Sequence, residues 1–283
     1  MKLSVFTVST PDLTPDQMAQ AAKAAGIDAI EWRYKDIPED AVNEKPSFWR
    51  NNLCSIDPKL SDEELEPFKQ AAAAHQLSTL SVTPYLACGD VAGTERVMQV
   101  AKQLGAGFIR VGVPAYDGSS NYNELFAGAV QYLHHVEELS QQYGIKGLVE
   151  IHHKTIAPSA GLAHRLVSGF SPERIGVLHD AGNMVHEGFE NHRMGLELLG
   201  PYLAHVHVKN ARWAPAGQSD RGITLWASDW APIDEGIVNW HELLVDLKAI
   251  GYDGYLGIED FSGQFDSREM LHNFAAKVRE WLS

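Results

Sequence analysis

Cysteine is scarce in this chain. Only Cys54 and Cys88 occur in 283 residues, with no metal-type spacing. That excludes a disulfide scaffold and points to two free thiols in a reducing compartment, so a cytoplasmic location is expected. Long apolar runs are also missing. No stretch approaches the roughly 18 apolar residues of a membrane span, and the opening MKLSVFTVSTPDLTPDQ turns polar too soon for a signal peptide. Basic surplus is a third absence: 23 Lys and Arg stand against 37 Asp and Glu, a formal net charge of −14. Such a surface repels phosphate polymers, so neither nucleic acid nor an anionic membrane is an expected partner. A small anionic ligand remains compatible, because a local cluster of Arg and Lys overrides the global field. Finally, no GxGxxG or phosphate loop follows the first apolar run, which argues against an open dinucleotide-binding sheet.

What is present is a repeat of architecture. An amphipathic helix, a glycine or polar turn and a short apolar run recur, as in AAKAAGIDAIEWR (21–33), KQLGAGFIRVGVP (102–114), QQYGIKGLVEIHH (141–153) and LKAIGYDGYLGIEDF (247–261). Together with the opening LSVFTV, the pattern predicts eight strands near 3–8, 28–32, 78–83, 108–113, 146–150, 175–180, 203–208 and 255–259. These runs are apolar on both faces, as parallel strands covered by helices must be. Eightfold strand–helix alternation over residues 1–283, with no linker dividing them, predicts a single-domain α/β protein, a (β/α)8 TIM barrel. Thr14–Gln17 and Ser61–Glu64 read as capped helix starts, the second as a capping box. Two connections exceed what a barrel needs: 34–60, carrying Trp49, and 211–236, carrying Trp213, Trp226 and Trp230. Both are expected to be irregular loops covering a site.

Barrel chemistry sits at the C-terminal strand ends. Four successive strands there finish with a metal-competent side chain: Glu150 after GLV, Asp180 after VLH, His207 after HV and Glu259 after LGI. Three carboxylates and an imidazole converging on one region repel one another unless a cation lies between them. One divalent ion is therefore expected. The oxygen-rich set favours Mn²⁺, with Mg²⁺, Co²⁺ and Zn²⁺ as alternatives. His179 and His205 are read as structural residues facing the helices, while Glu31 and Arg110 are candidates for the pocket floor.

The Glu of LVEIHH, the Asp of HDAGN, the second His of HVHVKN and the Glu of GYDGYLGIEDF resemble the xylose isomerase-like barrel superfamily, in its sugar-phosphate isomerase/epimerase branch. The likeness spans nearly the whole chain. It implies that Glu150, Asp180, His207 and Glu259 bind one divalent metal, and that Glu150 and Glu259 form the catalytic acid–base pair. Substrate contacts then fall to His152, Asn183, Lys209 and Arg212. Asn183 departs from the family, whose ketose epimerases place a histidine there. The implied reaction is isomerisation or epimerisation of a sugar or sugar phosphate, by proton abstraction beside a carbonyl through an enediolate. A lyase dehydrating a keto-inositol or dehydroshikimate-type ring uses the same site. The expected partner is thus a small polyol, ketose or keto-cyclitol, phosphorylated or not, with a homo-oligomer left open. A metal-dependent phosphodiesterase is disfavoured, because Thr7-Val8-Ser9 and Val82-Thr83-Pro84 offer no further ligands at strands one and three.

Overall fold

The computed structural model describes residues 1–283. In chain order the elements are β1 (Lys2–Phe6), α1 (Pro15–Ala25), β2 (Ala29–Tyr34), β3 (Ser55–Ile56), α2 (Glu66–Ala74), β4 (Ser78–Pro84), α3 (Val91–Leu104), β5 (Phe108–Arg110), α4 (Tyr122–Tyr143), β6 (Lys146–Glu150) and α5 (Ala160–Val167). Then follow β7 (Ile175–Asp180), α6 (Ala181–His186), α7 (His192–Leu199), β8 (Leu203–Val208), β9 (Asn210–Gln218), β10 (Thr224–Ala231), α8 (Trp240–Ala249), β11 (Tyr255–Ile258) and α9 (Ser267–Leu282). Eight of these strands pair in parallel in the order β1-β2-β4-β5-β6-β7-β8-β11, and pairing of β11 with β1 closes the ring. The result is a closed (β/α)8 barrel with its helices outside. No helix is long and apolar enough to cross a membrane.

Seven of the eight strands lie within two residues of their expected limits at both ends, because a strand buried on both faces writes its limits as a continuous apolar run. β5 starts where expected but ends three residues early, at Arg110, and β1 ends two early, at Phe6. After β1, Thr7–Ser9 form a 3₁₀ turn whose Thr7 hydroxyl accepts from the Arg33 backbone N–H at 2.9 Å. The Thr14 capping box forms in full. The Ser61–Glu64 pair also exchanges its hydrogen bonds, but it closes a turn, and α2 begins only at Glu66. Pro67 has no N–H with which to continue a ladder from that turn, so the helix starts beside it.

Two expectations need correction. The 211–236 segment is not irregular: β9 and β10 pair antiparallel from Asn210↔Ala231 outward, forming a hairpin that stands off the barrel. The Thr and Trp content of TLWASDW and the Asp220-Arg221-Gly222 turn carry that signal. His205 does not face the helices either. It precedes His207 by two residues, so on a strand it shares the inward face. There it is fully buried, its Nε2 lying 3.0 Å from Glu31 Oε1. His179, one residue before Asp180, does point outward, edge-on to His192 of α7 at 5.9 Å.

Gly257 on β11 makes this interior possible. A Cβ there would lie 2.3 Å from Glu31 Oε1, 2.9 Å from Ser4 Oγ and 3.0 Å from His205 Nε2. Gly257→Ala is therefore expected to lose about 1–3 kcal/mol of stability, the usual cost of overpacking a core, read as a lower urea midpoint. An unchanged midpoint would show that Glu31 can move aside freely.

Candidate active site

Glu150, Asp180, His207 and Glu259 stand at the ends of β6, β7, β8 and just past β11, all buried. One ligand atom from each lies within 4.8 Å of every other. His207 supplies the sharpest detail. Its Nδ1 is buried without a hydrogen-bond partner, 3.8 Å from Glu150 Oε1, 3.8 Å from Asp180 Oδ2 and 3.7 Å from Glu259 Oε2. Those distances are too long for hydrogen bonds, yet they are the spacing of donor atoms arranged around a shared cation. The other ring nitrogen, Nε2, lies 3.0 Å from Glu31 Oε2. A carboxylate on the far nitrogen fixes the tautomer, turning the Nδ1 lone pair toward the carboxylates, as metal-binding histidines require. The residues present fit a divalent ion. Glu31, His205 and His207 also cluster. There both Glu31 oxygens are already taken, Oε1 by Ser4 Oγ and His205 and Oε2 by His207.

Electrostatics follow from this crowding. Burial alone would raise the Glu31 carboxyl, but the charges and hydrogen bonds of His205 and His207 outweigh it and hold it well below the carboxylate range. Burial likewise opposes protonation of His207, yet Glu31, Asp180 and Glu259 raise it well above an ordinary imidazole. For Glu150 burial is again outweighed, chiefly by the Arg110 guanidinium, which donates to Oε2 at 2.7 Å, and its carboxyl is lowered. Glu259 ends up raised, since burial dominates there over the lowering effect of Lys209 and His207. Lys209 Nζ lies 2.7 Å from Asp180 Oδ2 and hydrogen-bonds Glu259, so its charge partly balances the carboxylates. Burial works against that charge, but the surrounding carboxylates raise the ammonium above its usual value.

Above these groups opens a cavity of about 540 Å³. Glu150, Glu259, Lys209, Arg110, His152 and His153 form its polar part, and Trp49, Tyr85, Trp230 and Phe261 its aromatic walls. Of the substrate residues expected from sequence, His152 and Lys209 line the cavity. Asn183 does not. It is fully buried, its backbone N–H donates to Asp180 Oδ1 at 2.8 Å, and its amide donates to Glu150 Oε1 at 3.4 Å and Ile151 O at 3.1 Å. Asn183 Oδ1 faces His153 Nδ1 at 3.2 Å. A histidine therefore does reach the cavity at this edge, but it comes from the loop after β6. Burial lowers the His153 imidazole to about 4, helped by neighbouring His152 and His186, which leaves it neutral near pH 7. Arg212 is also absent from the lining. It sits half-exposed on β9, its Nη1 3.7 Å from Glu235. Residue 212 lies in the stand-off hairpin, and the strand alternation there aims its side chain away from the barrel mouth.

The tryptophans divide in the same way. Trp230 packs beside His186 at 4.4 Å and Phe261 at 5.7 Å, within the cavity wall. Trp213 anchors the hairpin through Nε1 to Val185 O at 2.6 Å, while Trp226 faces solvent. Tyr85 and Phe261 were not picked out from sequence. Tyr85 stands one residue past β4 and Phe261 three residues past β11, and their place just beyond a barrel strand was the signal that could have found them.

A family model described as xylose isomerase-like TIM barrel matches residues 19–282. The chain belongs to that family. Among curated proteins, this xylose isomerase-like barrel is 27% identical to an inosose dehydratase of Bacillus licheniformis over 151 residues. That match takes in 51% of this chain and 48% of the relative, so it spans about half the relative's length. Two solved structures share the fold across nearly the whole barrel. One is the apo 3-keto-D-glucoside 4-epimerase of E. coli, with TM-score 0.70, 16% identity and 99% of each chain covered. The other is an IOLI protein with a bound zinc atom, with TM-score 0.74 and 16% identity, covering 100% of this barrel and 98% of that chain.

Proposed function

We propose that this barrel is a divalent-metal-dependent enzyme that abstracts a proton beside the carbonyl of a small sugar or cyclitol, yielding epimerisation or isomerisation. The unpartnered His207 Nδ1, aimed at three buried carboxylates and locked from behind by Glu31, carries the reading. Glu150, Asp180, His207 and Glu259 hold the ion, and their oxygen-rich set suits Mn²⁺ or Mg²⁺, with Zn²⁺ also compatible. Bound there, it supplies Lewis acidity that polarises a carbonyl and acidifies the adjacent C–H.

The chain's own residues handle the proton. Glu150, kept ionised by Arg110, accepts it. Glu259 stands three strands away across the site and returns one from the other side, which inverts the centre. Lys209 holds the oxygen that gains charge, and its ammonium rests over the Trp230 ring at 4.9 Å. His152 and His153 receive hydroxyl groups of the substrate, and Asn183 keeps Glu150 and His153 in register. Arg212 has no role at the reacting carbon.

Dehydration is the second reading, favoured by the sequence likeness to inosose dehydratase. It shares the abstraction step, and a β-hydroxyl then leaves, protonated by Glu259. Both readings require metal. Purified protein should carry about one divalent ion per chain by elemental analysis, and exhaustive chelation should remove activity that added Mn²⁺ or Mg²⁺ restores. Full activity after chelation would sink the proposal. Incubating ketoses and keto-inositols in D₂O then asks whether solvent deuterium enters the α-carbon, and a new conjugated-ketone absorbance marks loss of water.

A further inference from the structure

The cavity has two aromatic tiers, and the proposed chemistry uses only one. Trp230 and Phe261 form the inner tier, their ring centroids 4.9 and 5.4 Å from Lys209 Nζ. Both rings line the same cavity as Glu150 and Glu259, so a sugar ring held at those carboxylates would meet them. The outer tier is Trp49, whose ring lies 4.8 Å beyond Phe261 and is 48% exposed. This indole is not a loose surface residue. Its carbonyl accepts from Arg33 Nη2 at 3.3 Å, and Arg33 is itself fully buried and donates from Nη1 to Ser55 Oγ at 2.6 Å. The neighbouring Arg50 is clamped by Asp40 and Glu44, each at 2.9 Å. A rigidly mounted, half-bare indole at a cavity mouth is a stacking platform without a partner. Tyr85 and Leu86 face the same cavity.

The polar lining decides the charge of what stacks there. Arg110 spends its donors on Glu150 and twice on Pro84 O, and Lys209 is engaged by Asp180 and Glu259. Arg110 and Lys209 are both paired with the carboxylates that line the cavity, Glu150 and Glu259. A phosphate therefore meets no free Arg or Lys to cradle it.

We propose that Trp49 builds a second subsite for an uncharged ring linked to the reacting sugar, so that the substrate is a glycoside whose reacting ring carries the ketone, rather than a free or phosphorylated monosaccharide. This rests on the proton-abstraction reading for the placement of the first ring. The linked ring is glycosyl or aryl; both offer an uncharged, flat or C–H-rich face to indole.

Calorimetry on the metal-loaded full chain tests it with four probes: glucose, glucose 6-phosphate, a glucose disaccharide and phenyl β-glucoside. At least one of the two linked-ring probes is expected to bind at least tenfold tighter than glucose, with the phosphate weakest, and whichever binds tighter tells a glycosyl from an aryl partner. Trp49→Ala should shrink the linked-ring-to-glucose ratio about tenfold, and Trp49→Tyr should keep most of it, with unchanged thermal melts confirming that both variants fold. Glucose or its phosphate binding as tightly as both linked-ring probes overturns the subsite, as does a ratio indifferent to Trp49→Ala. Because binding is read without turnover, the two proposals fail separately. Absent deuterium exchange with the Trp49-dependent preference intact removes only the reaction. Exchange without that preference removes only the subsite.

Discussion

Glu150→Gln and Glu259→Gln should each lower solvent deuterium incorporation into the substrate by on the order of 10³-fold or more. A positioned acid or base alone contributes roughly 10²–10⁴-fold, and each carboxylate here also belongs to the donor set. The two variants should nevertheless differ. In Glu150→Gln the Arg110 guanidinium loses the carboxylate it touches at 2.7 Å, leaving a buried cation without its partner. That variant should therefore also lose stability, of the size seen when one member of a buried pair is removed, about 3–5 kcal/mol. Glu259→Gln leaves Lys209 its second carboxylate partner, Asp180 at 2.7 Å, and should melt closer to the parent. Near-normal exchange in either variant, with metal content intact, would remove that residue from proton transfer.

Glu31 should give the second large effect without touching substrate. Glu31→Ala leaves Nε2 of both His205 and His207 without the carboxylate that each meets at 3.0 Å. Divalent-ion affinity is then expected to fall roughly 10–100-fold, the usual cost of losing the group that orients a ligand histidine, with stability lower by about 3–5 kcal/mol. Glu31→Gln keeps one hydrogen bond to an imidazole and should lie between. A titration with Mn²⁺ that does not separate Glu31→Ala from the parent would dismiss this orienting role.

The same pair sets a pH dependence for the metal-free protein. Glu31 is lowered in the fold, so its contribution is present above the unfolded carboxyl value of 4.5 and is lost as pH falls through the folded one. His207 is raised, so its contribution is complete below 6.5 and is lost as pH rises through the folded value. Metal-free protein should thus gain most from the pair between those values. Metal loading runs the other way. The ion needs a neutral imidazole, so apparent affinity should weaken as pH drops. Across this range urea midpoints without Mn²⁺ should stay level as far as the pair is concerned, whereas midpoints with Mn²⁺ should rise with pH, if both statements hold.

How much of this was legible in the chain depends on distance. The barrel could be read because each strand and helix writes its own local pattern, and the repeat counts to eight. The quartet could be read because a strand's C-terminal end is a position in sequence as well as in space. Loop 211–236 was misjudged because a hairpin standing clear of the core needs no continuous apolar run. His205 was misplaced although period-two alternation puts it on the side of His207. Arg212 and Asn183 show the limit more clearly. Both sit close in sequence to site residues, yet one faces away from the cavity and the other is buried behind it. Nothing within a few residues of either encodes that choice.

By itself, then, the sequence determined the alternation, the closure number and which four donor side chains meet at the strand ends. Only the tertiary structure decided what stands around the quartet: Glu31 behind His207, Arg110 against Glu150, Lys209 among the carboxylates, and Trp49 and Phe261 over the mouth. The reason is physical. Ligand type is a property of one side chain on one strand, whereas orientation, charge balance and cavity shape arise from residues far apart in sequence that meet only when the barrel closes.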